Sequence, residues 1–326
     1  MCTFHLFVTN NRKLNVHMAL KGNIRRLLNA SFNEECESCD LDNCDYGLSR
    51  ISSSVFIFLS IVCGIFAIGG NSALLLALTR TDALRSRVNC SFIFSLALAD
   101  LMVGLTMTPL YVCYAVRYEP PWLIKLEGFI WILTVTATTY SLSAVSLDRL
   151  VSVVYPLLYH QIVTEQRCRV VLCLIWTGAI IFGFPRLVLD DFVKLEKLWI
   201  ACSVATVAIP LLIMLLSYTK ILLIVQKTNR SVADQSVSRA CVSVGNRKAV
   251  ITIGIIVILF ILTFIPTTVV YFMLLFEEDL CKELTLNDVW LWVALVSFSH
   301  SSFNPWVYGL RYRELRQALK DSLKCE

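Results

Sequence analysis

Seven long apolar runs, separated by short polar segments, dominate the pattern of the chain: residues of about 52–79, 90–115, 126–155, 169–188, 198–226, 249–276 and 286–310. A helix crosses the hydrocarbon core with about 20 mostly apolar residues, because lipid offers its backbone no hydrogen-bond partners. The pattern therefore predicts an all-α membrane protein, a seven-transmembrane helix bundle over residues 51–310. Residues 1–50 form a polar tail before the first run. In 311–326, Leu315, Leu319 and Leu323 recur every fourth residue among bases, the pattern of an amphipathic eighth helix lying on the inner leaflet.

An odd number of spans puts the termini on opposite sides, and Lys and Arg decide which side is which. One set of connections is basic: Arg80, Arg85 and Arg87, then Arg167 and Arg169, then Lys220 to Lys248, then the C-terminal segment. The other set is poorer in bases, and the tail before the first span carries Glu34, Glu35, Glu37, Asp40, Asp42 and Asp45. The N-terminus is expected outside the plasma membrane and the C-terminus in the cytoplasm. No cleavable leader is visible, so the first span itself acts as the insertion signal. Asn29-Ala30-Ser31 is then an outer glycosylation sequon. Of 13 cysteines, Cys36, Cys39, Cys44 and Cys281 fall outside and are placed to pair, with the connectivity open. Cys325 follows the amphipathic segment and is a candidate for lipidation.

Composition agrees: 57% of residues are hydrophobic, 16% are charged, and mean hydropathy is +0.68. The net charge of +5 reflects the asymmetry across the bilayer and attraction to anionic lipid, not a nucleic-acid partner. Asp100 reads as the only carboxylate within the apolar runs. An ionised group at that depth costs at least roughly 2.5–3.5 kcal/mol, so Asp100 marks a functional site by default. Internal repeats and several charges along one path, the signs of a transporter, are missing. So are a His-Glu-x-x-His motif and paired intramembrane acids, which leaves no candidate catalytic residues and no enzyme.

Over residues 60–320 the chain resembles the rhodopsin-like (class A) G-protein-coupled receptors. The resemblance is carried by one landmark per helix, in order: Gly70-Asn71; Leu98-Ala99-Asp100; Asp148-Arg149-Leu150; Trp176; Pro210 and Tyr218; Phe260 and Pro266; Asn304-Pro305-x-x-Tyr308. No single subfamily is indicated, since adenosine-, melanocortin- and amine-like features are mixed. The resemblance implies a receptor that passes extracellular ligand binding to a cytosolic heterotrimeric G protein, with no cofactor beyond sodium as an allosteric modulator. A non-signalling receptor-like scaffold is the rival, and a membrane transporter a more distant one.

It also implies roles. Asn71, Asp100, Thr138, Ser301 and Asn304 would form a mid-membrane polar pocket able to hold sodium, with His300 standing where relatives often carry Asn. Arg149, paired with Asp148 at rest, would be released as the sixth helix swings outward. Many relatives hold that Arg with a second acid from the sixth helix; here the position is Asn246, so a weak resting lock and raised basal signalling are expected. Pro156 and Leu157 would meet the G protein, and Tyr218 and Tyr308 would meet near Arg149 in the active state. Pro266 and Pro305 would act as hinges, and Phe264 stands where most relatives have a Trp switch. The ligand cavity would be lined by Trp131, Val135, Cys202, Phe264, Thr267, Tyr271, Trp290 and Phe298.

Small molecule, lipid and basic peptide all remain open as the ligand. Amine receptors carry Asp at the position of Trp131, adenosine receptors Asn at that of Tyr271, and retinal needs a Lys that residues 286–309 lack. The outer end of the third span, Trp122 to Gly128, and the loop 187–199 lack the usual bridging cysteines. This is similar to melanocortin, lysolipid and cannabinoid receptors. Asp190, Asp191, Glu277, Glu278 and Asp279 form an acidic rim that a basic peptide would use or that is simply solvated.

Overall fold

Each apolar run is helical in the computed structural model, which describes residues 48–81, 90–116, 118, 120–189, 200–232, 240–277, 280–311 and 316–317. Within these, the side chains of 227–250, 252, 253, 275, 280, 281, 283 and 308–311 lie outside the description. The helices are α1 (Arg50–Arg80), α2 (Cys90–Ala115), α3 (Pro121–Val154), α4 (Glu165–Val188), α5 (Ile200–Gln226, continuing to Val232), α6 (Ala240–Phe276) and α7 (Leu280–Arg311). A one-turn helix, Tyr159–Ile162, links α3 to α4. Their starts follow local chemistry. Ser49 accepts from the Ser52 N–H and Thr164 from the Arg167 N–H, each satisfying a donor that the first turn leaves orphaned. Pro121 opens α3, where its missing N–H costs nothing.

Six helices, α1 to α6, are long and apolar enough to cross a membrane. The seventh is long but more polar, because it buries Ser297, His300, Ser301, Ser302 and Asn304 against its neighbours. α3 is the axis of the bundle: 89% of its apolar window is buried, against 22% for α1 and α4. α6 packs along α7 and touches α5 only briefly.

Two prolines turn lost helix bonds into contacts between helices. Pro210 has no N–H for the Thr206 carbonyl. That carbonyl instead accepts from Thr139 Oγ1 at 2.6 Å, and Ala205, in the π-helical turn Val204–Ala208, accepts from the Tyr140 hydroxyl at 2.7 Å. α3 and α5 are thereby laced together. Pro305 likewise frees the Ser301 carbonyl, which accepts from Asn71 Nδ2 at 3.0 Å and ties α1 to α7. Gly70 makes this approach possible, since a Cβ there would stand 2.9 Å from Pro305 Cγ. A third tie runs from Trp176 Nε1 on α4 to Ser95 Oγ on α2 (3.0 Å) and on to Ser141 Oγ on α3 (2.9 Å).

Of the predicted eighth helix only Arg316 and Gln317 are described, both helical and exposed. Asn29, Cys36, Cys39, Cys44 and Cys325 and the side chain of Cys281 lie outside the described residues. Cys63, Cys113, Cys168, Cys173 and Cys202 are thiols, without a disulfide.

Candidate functional site

The site has three levels, beginning with a cavity of about 360 Å³ between α3, α5, α6 and α7. Seven of the eight anticipated lining residues are there: Trp131, Val135, Cys202, Phe264, Thr267, Tyr271 and Trp290. The eighth, Phe298, is not. Its ring packs edge-on behind Trp131 at 4.8 Å and against Tyr111 at 5.5 Å, facing a smaller void between α1, α2 and α7. The helical turn at Phe298 faces α2, which period counting along one helix does not reveal. α5 contributes Val204, Val207 and Leu211 and α6 contributes Ile265, Val269 and Phe272, all missed because each reads as a lipid-facing residue. Trp131 and Trp290 lean together at 5.4 Å as one wall.

Phe264 is the floor. It stacks on Phe260 at 4.2 Å and lies 5.5 Å from the His300 ring. Below it is the second level, a buried polar core between α2 and α7. Asp100 is fully buried and both carboxylate oxygens are engaged: Ser301 Oγ donates to Oδ1 and Asn304 Nδ2 to Oδ2, each at 2.7 Å. His300 Nε2 stands 3.7 Å from Oδ1, while its Nδ1 contacts the Ser297 carbonyl. Ser297 in turn meets Thr267 and donates to the Thr263 carbonyl, joining α7 to α6.

Two expected members of this pocket are arranged differently. Asn71 bonds the Ala67 and Ser301 carbonyls rather than Asp100. Thr138 is buried on α3, and among the described residues no hydrogen bond links it to Asp100. Each Asp100 oxygen accepts one short hydrogen bond and keeps a further lone pair, and the His300 imidazole edge stands beside the carboxylate.

Asp100 is not the only buried acid within the helices, a correction to the sequence reading. Glu127, in the second turn of α3, is 2% exposed and accepts from the Tyr111 hydroxyl at 3.4 Å. Arg186, a base near the outer end of the fourth apolar run, is wholly buried at the end of α4. Glu127 and Tyr114 are the charged and polar groups it feels. It crosses α3 over Gly128, where an added Cβ would collide with its Nε, Cγ and Cδ. Glu127, Gly128 and Arg186 escaped notice because 127 sits at the edge of an apolar run and 186 is 59 positions away.

At the end of the bundle far from the cavity, Arg149 Nη2 lies 2.7 Å from Asp148 Oδ2. The other oxygen, Oδ1, accepts from the Tyr159 hydroxyl at 2.6 Å, a partner that the sequence did not suggest. Burial first, and then the Asp148 charge, hold the Tyr159 hydroxyl above its usual pKa, so it stays a donor. Leu157, 95% exposed beside exposed Pro156, projects from the loop. Tyr218 faces α6 at Gly254, while the side chains of Asn246 and Tyr308 lie outside the described residues. Pro266 sits inside α6, two residues past the cavity floor. Of the expected acidic rim, Glu277 is 4.0 Å from Lys282, and Asp190, Asp191, Glu278 and Asp279 lie outside the description.

The sequence model of the family described as 7 transmembrane receptor (rhodopsin family) matches residues 70–308. Similar proteins include the histamine H2 receptor of Cavia porcellus, 26% identical over 86% of this chain and 82% of its own length. The adenosine receptor A2b of Gallus gallus is 24% identical over 81% and 86%, and the adenosine receptor A2a of Homo sapiens 24% over 84% and 73%. With seven helices laced through the landmark residues and a match spanning most of its length, the chain belongs to the rhodopsin family of seven-transmembrane G-protein-coupled receptors.

Proposed function

We propose that this receptor sits in the plasma membrane with its N-terminus outside and takes a small molecule into the cavity between α3, α5, α6 and α7. Binding there shifts a two-state equilibrium of the bundle toward a form that opens its cytoplasmic end to a heterotrimeric G protein. One observation carries the reading. Phe264 is both the floor of the cavity and a packing neighbour of His300, which stands beside Asp100. A ligand pressing on Phe264 therefore acts on the polar core between α2 and α7 and on the Pro266 bend of α6. At the inner end, α6 is the element whose displacement would expose Arg149, with Leu157 offered to the G protein. The scheme runs through Asp100, which accepts from Ser301 and Asn304 beside His300, and it needs no sodium ion. Glycosylation at Asn29 and acylation at Cys325 belong to the same topology, the first outside and the second inside.

The test is nucleotide exchange on a panel of purified G proteins, with the full chain in nanodiscs and Arg149→Ala as the control. Exchange above background that Arg149→Ala abolishes supports the reading. Silence on every G protein by well-folded receptor would favour a scaffold instead.

A further inference from the structure

We propose that the ligand is an uncharged, lipophilic small molecule that reaches the cavity sideways from the bilayer, through the cleft between α5 and α6. This rests on the reading that the cavity is the ligand site, and it adds the chemistry of the ligand and its route.

The walls set the chemistry. Among the described residues, no Asp, Glu, Lys, Arg or His lines the cavity. A cation or anion brought there would lose its hydration with no counter-charge to replace it. The polar groups in the wall are mostly hydroxyls, and two already spend their protons locally. Thr267 donates to the Val293 carbonyl at 3.1 Å and Thr268 to the Phe264 carbonyl at 3.0 Å. What is offered to a guest is chiefly aromatic and aliphatic surface from Trp131, Trp290 and Phe264. That favours a compact ring-bearing apolar molecule, and the volume lies at the low end for sites that take drug-sized ligands.

The route follows from which residues line the mouth. On α6, Ile265, Val269 and Phe272 line the cavity, yet they continue the outward stripe of Ile258, Leu262 and Phe276. On α5, Val204 and Ala208 line it and continue outward to Leu212 and Leu215. Val204 and Ile265 are each 52% exposed. Side chains that belong at once to the cavity and to the faces turned to lipid place an opening between the two helices. Packing gives the reason for the gap: α6 is held by α7 along its length and meets α5 only briefly. The π-helical turn Val204–Ala208 and Pro210 disturb the regular surface of α5 at that same level. A lipophile concentrated in the bilayer would thus meet the site without crossing the polar outer face.

The test is photolabelling of the full chain in nanodiscs with a phenyl(trifluoromethyl)diazirine, and with the same ring carrying a trimethylammonium group. The readout is saturable label on the Trp131 and Trp290 peptides, quantified by mass spectrometry. We expect the neutral probe to label these peptides at least about tenfold more than the cation. Val204→Trp and Ile265→Trp, which fill the mouth, should slow that labelling about fivefold or more, while Leu216→Trp on the same lipid-facing side should not. Val269→Phe is a milder plug in case a tryptophan variant fails to fold. Equal labelling by the cation would overturn the uncharged ligand class, and unslowed labelling in all plugged, folded variants would overturn the lateral route. Labelling does not depend on G protein, so a receptor that binds as expected but drives no exchange would sink the signalling reading and leave this one standing.

Discussion

Replacing Asp148 by Asn tests the Asp148–Arg149 lock most directly. The side chain keeps its shape and its ability to accept from Tyr159, but loses the charge that holds Arg149 at 2.7 Å. The Asp148 side chain is 1% exposed and that of Arg149 11%, so solvent screens the pair little and the surface-pair discount does not apply in full. Coupling between so close and little-exposed a charge pair is about 1.5–3 kcal/mol, the low end for such pairs. If that contribution belongs to the resting state alone, losing it moves the equilibrium toward the active form by about 10- to 150-fold. A receptor active about 1% of the time would then be active roughly 10–60% of the time without ligand. The assay is ligand-free nucleotide exchange on a coupling G protein, at matched amounts of folded receptor, for the parent, Asp148→Asn, Tyr159→Phe and the double variant. The double variant separates the two oxygens of Asp148, since Tyr159→Phe removes only the neutral donor and should change exchange less. Basal exchange in Asp148→Asn no higher than in the parent would refute the idea that this pair restrains the resting state.

Other expectations follow from the same geometry. Replacing sodium by an organic cation at constant ionic strength should leave basal exchange within about twofold, because Ser301 and Asn304 each donate to Asp100 and the scheme needs no ion there; a larger sodium-dependent drop would place an ion in the pocket. Glu127→Ala should cost about 1–3 kcal/mol, because the buried Tyr111 hydroxyl loses its acceptor and buried Arg186 loses a nearby opposite charge. Thermal unfolding in detergent would show it, and a double Glu127→Gln, Arg186→Met variant should recover much of the loss. Thr139→Val should cost about 1–3 kcal/mol, since the Thr206 carbonyl freed by Pro210 loses its donor. The same melting assay would find no change if water replaced the hydroxyl freely.

Much of the receptor is decided by its sequence alone, because lipid imposes a local rule. Lipid offers backbone groups no partners, so most are satisfied within their own segment and apolar runs of sufficient length are helices. Seven spans, with limits that differ from the helix ends by up to nine residues, and the landmarks at Asp100, Asp148-Arg149 and Asn304-Pro305 are legible in the sequence. What remained hidden depends on which faces meet across the bundle, a property no single helix contains. Phe298 and Phe264 look equivalent as buried aromatics, yet α7 turns Phe298 toward α2 while α6 holds Phe264 beneath the cavity. Arg186 reads as a loop base until α4 carries it over Gly128, and Tyr159 becomes a partner of Asp148 only when the loop folds back. Residues far apart in the chain come together through packing, and packing, unlike helix formation in lipid, is settled only by the whole set of neighbours.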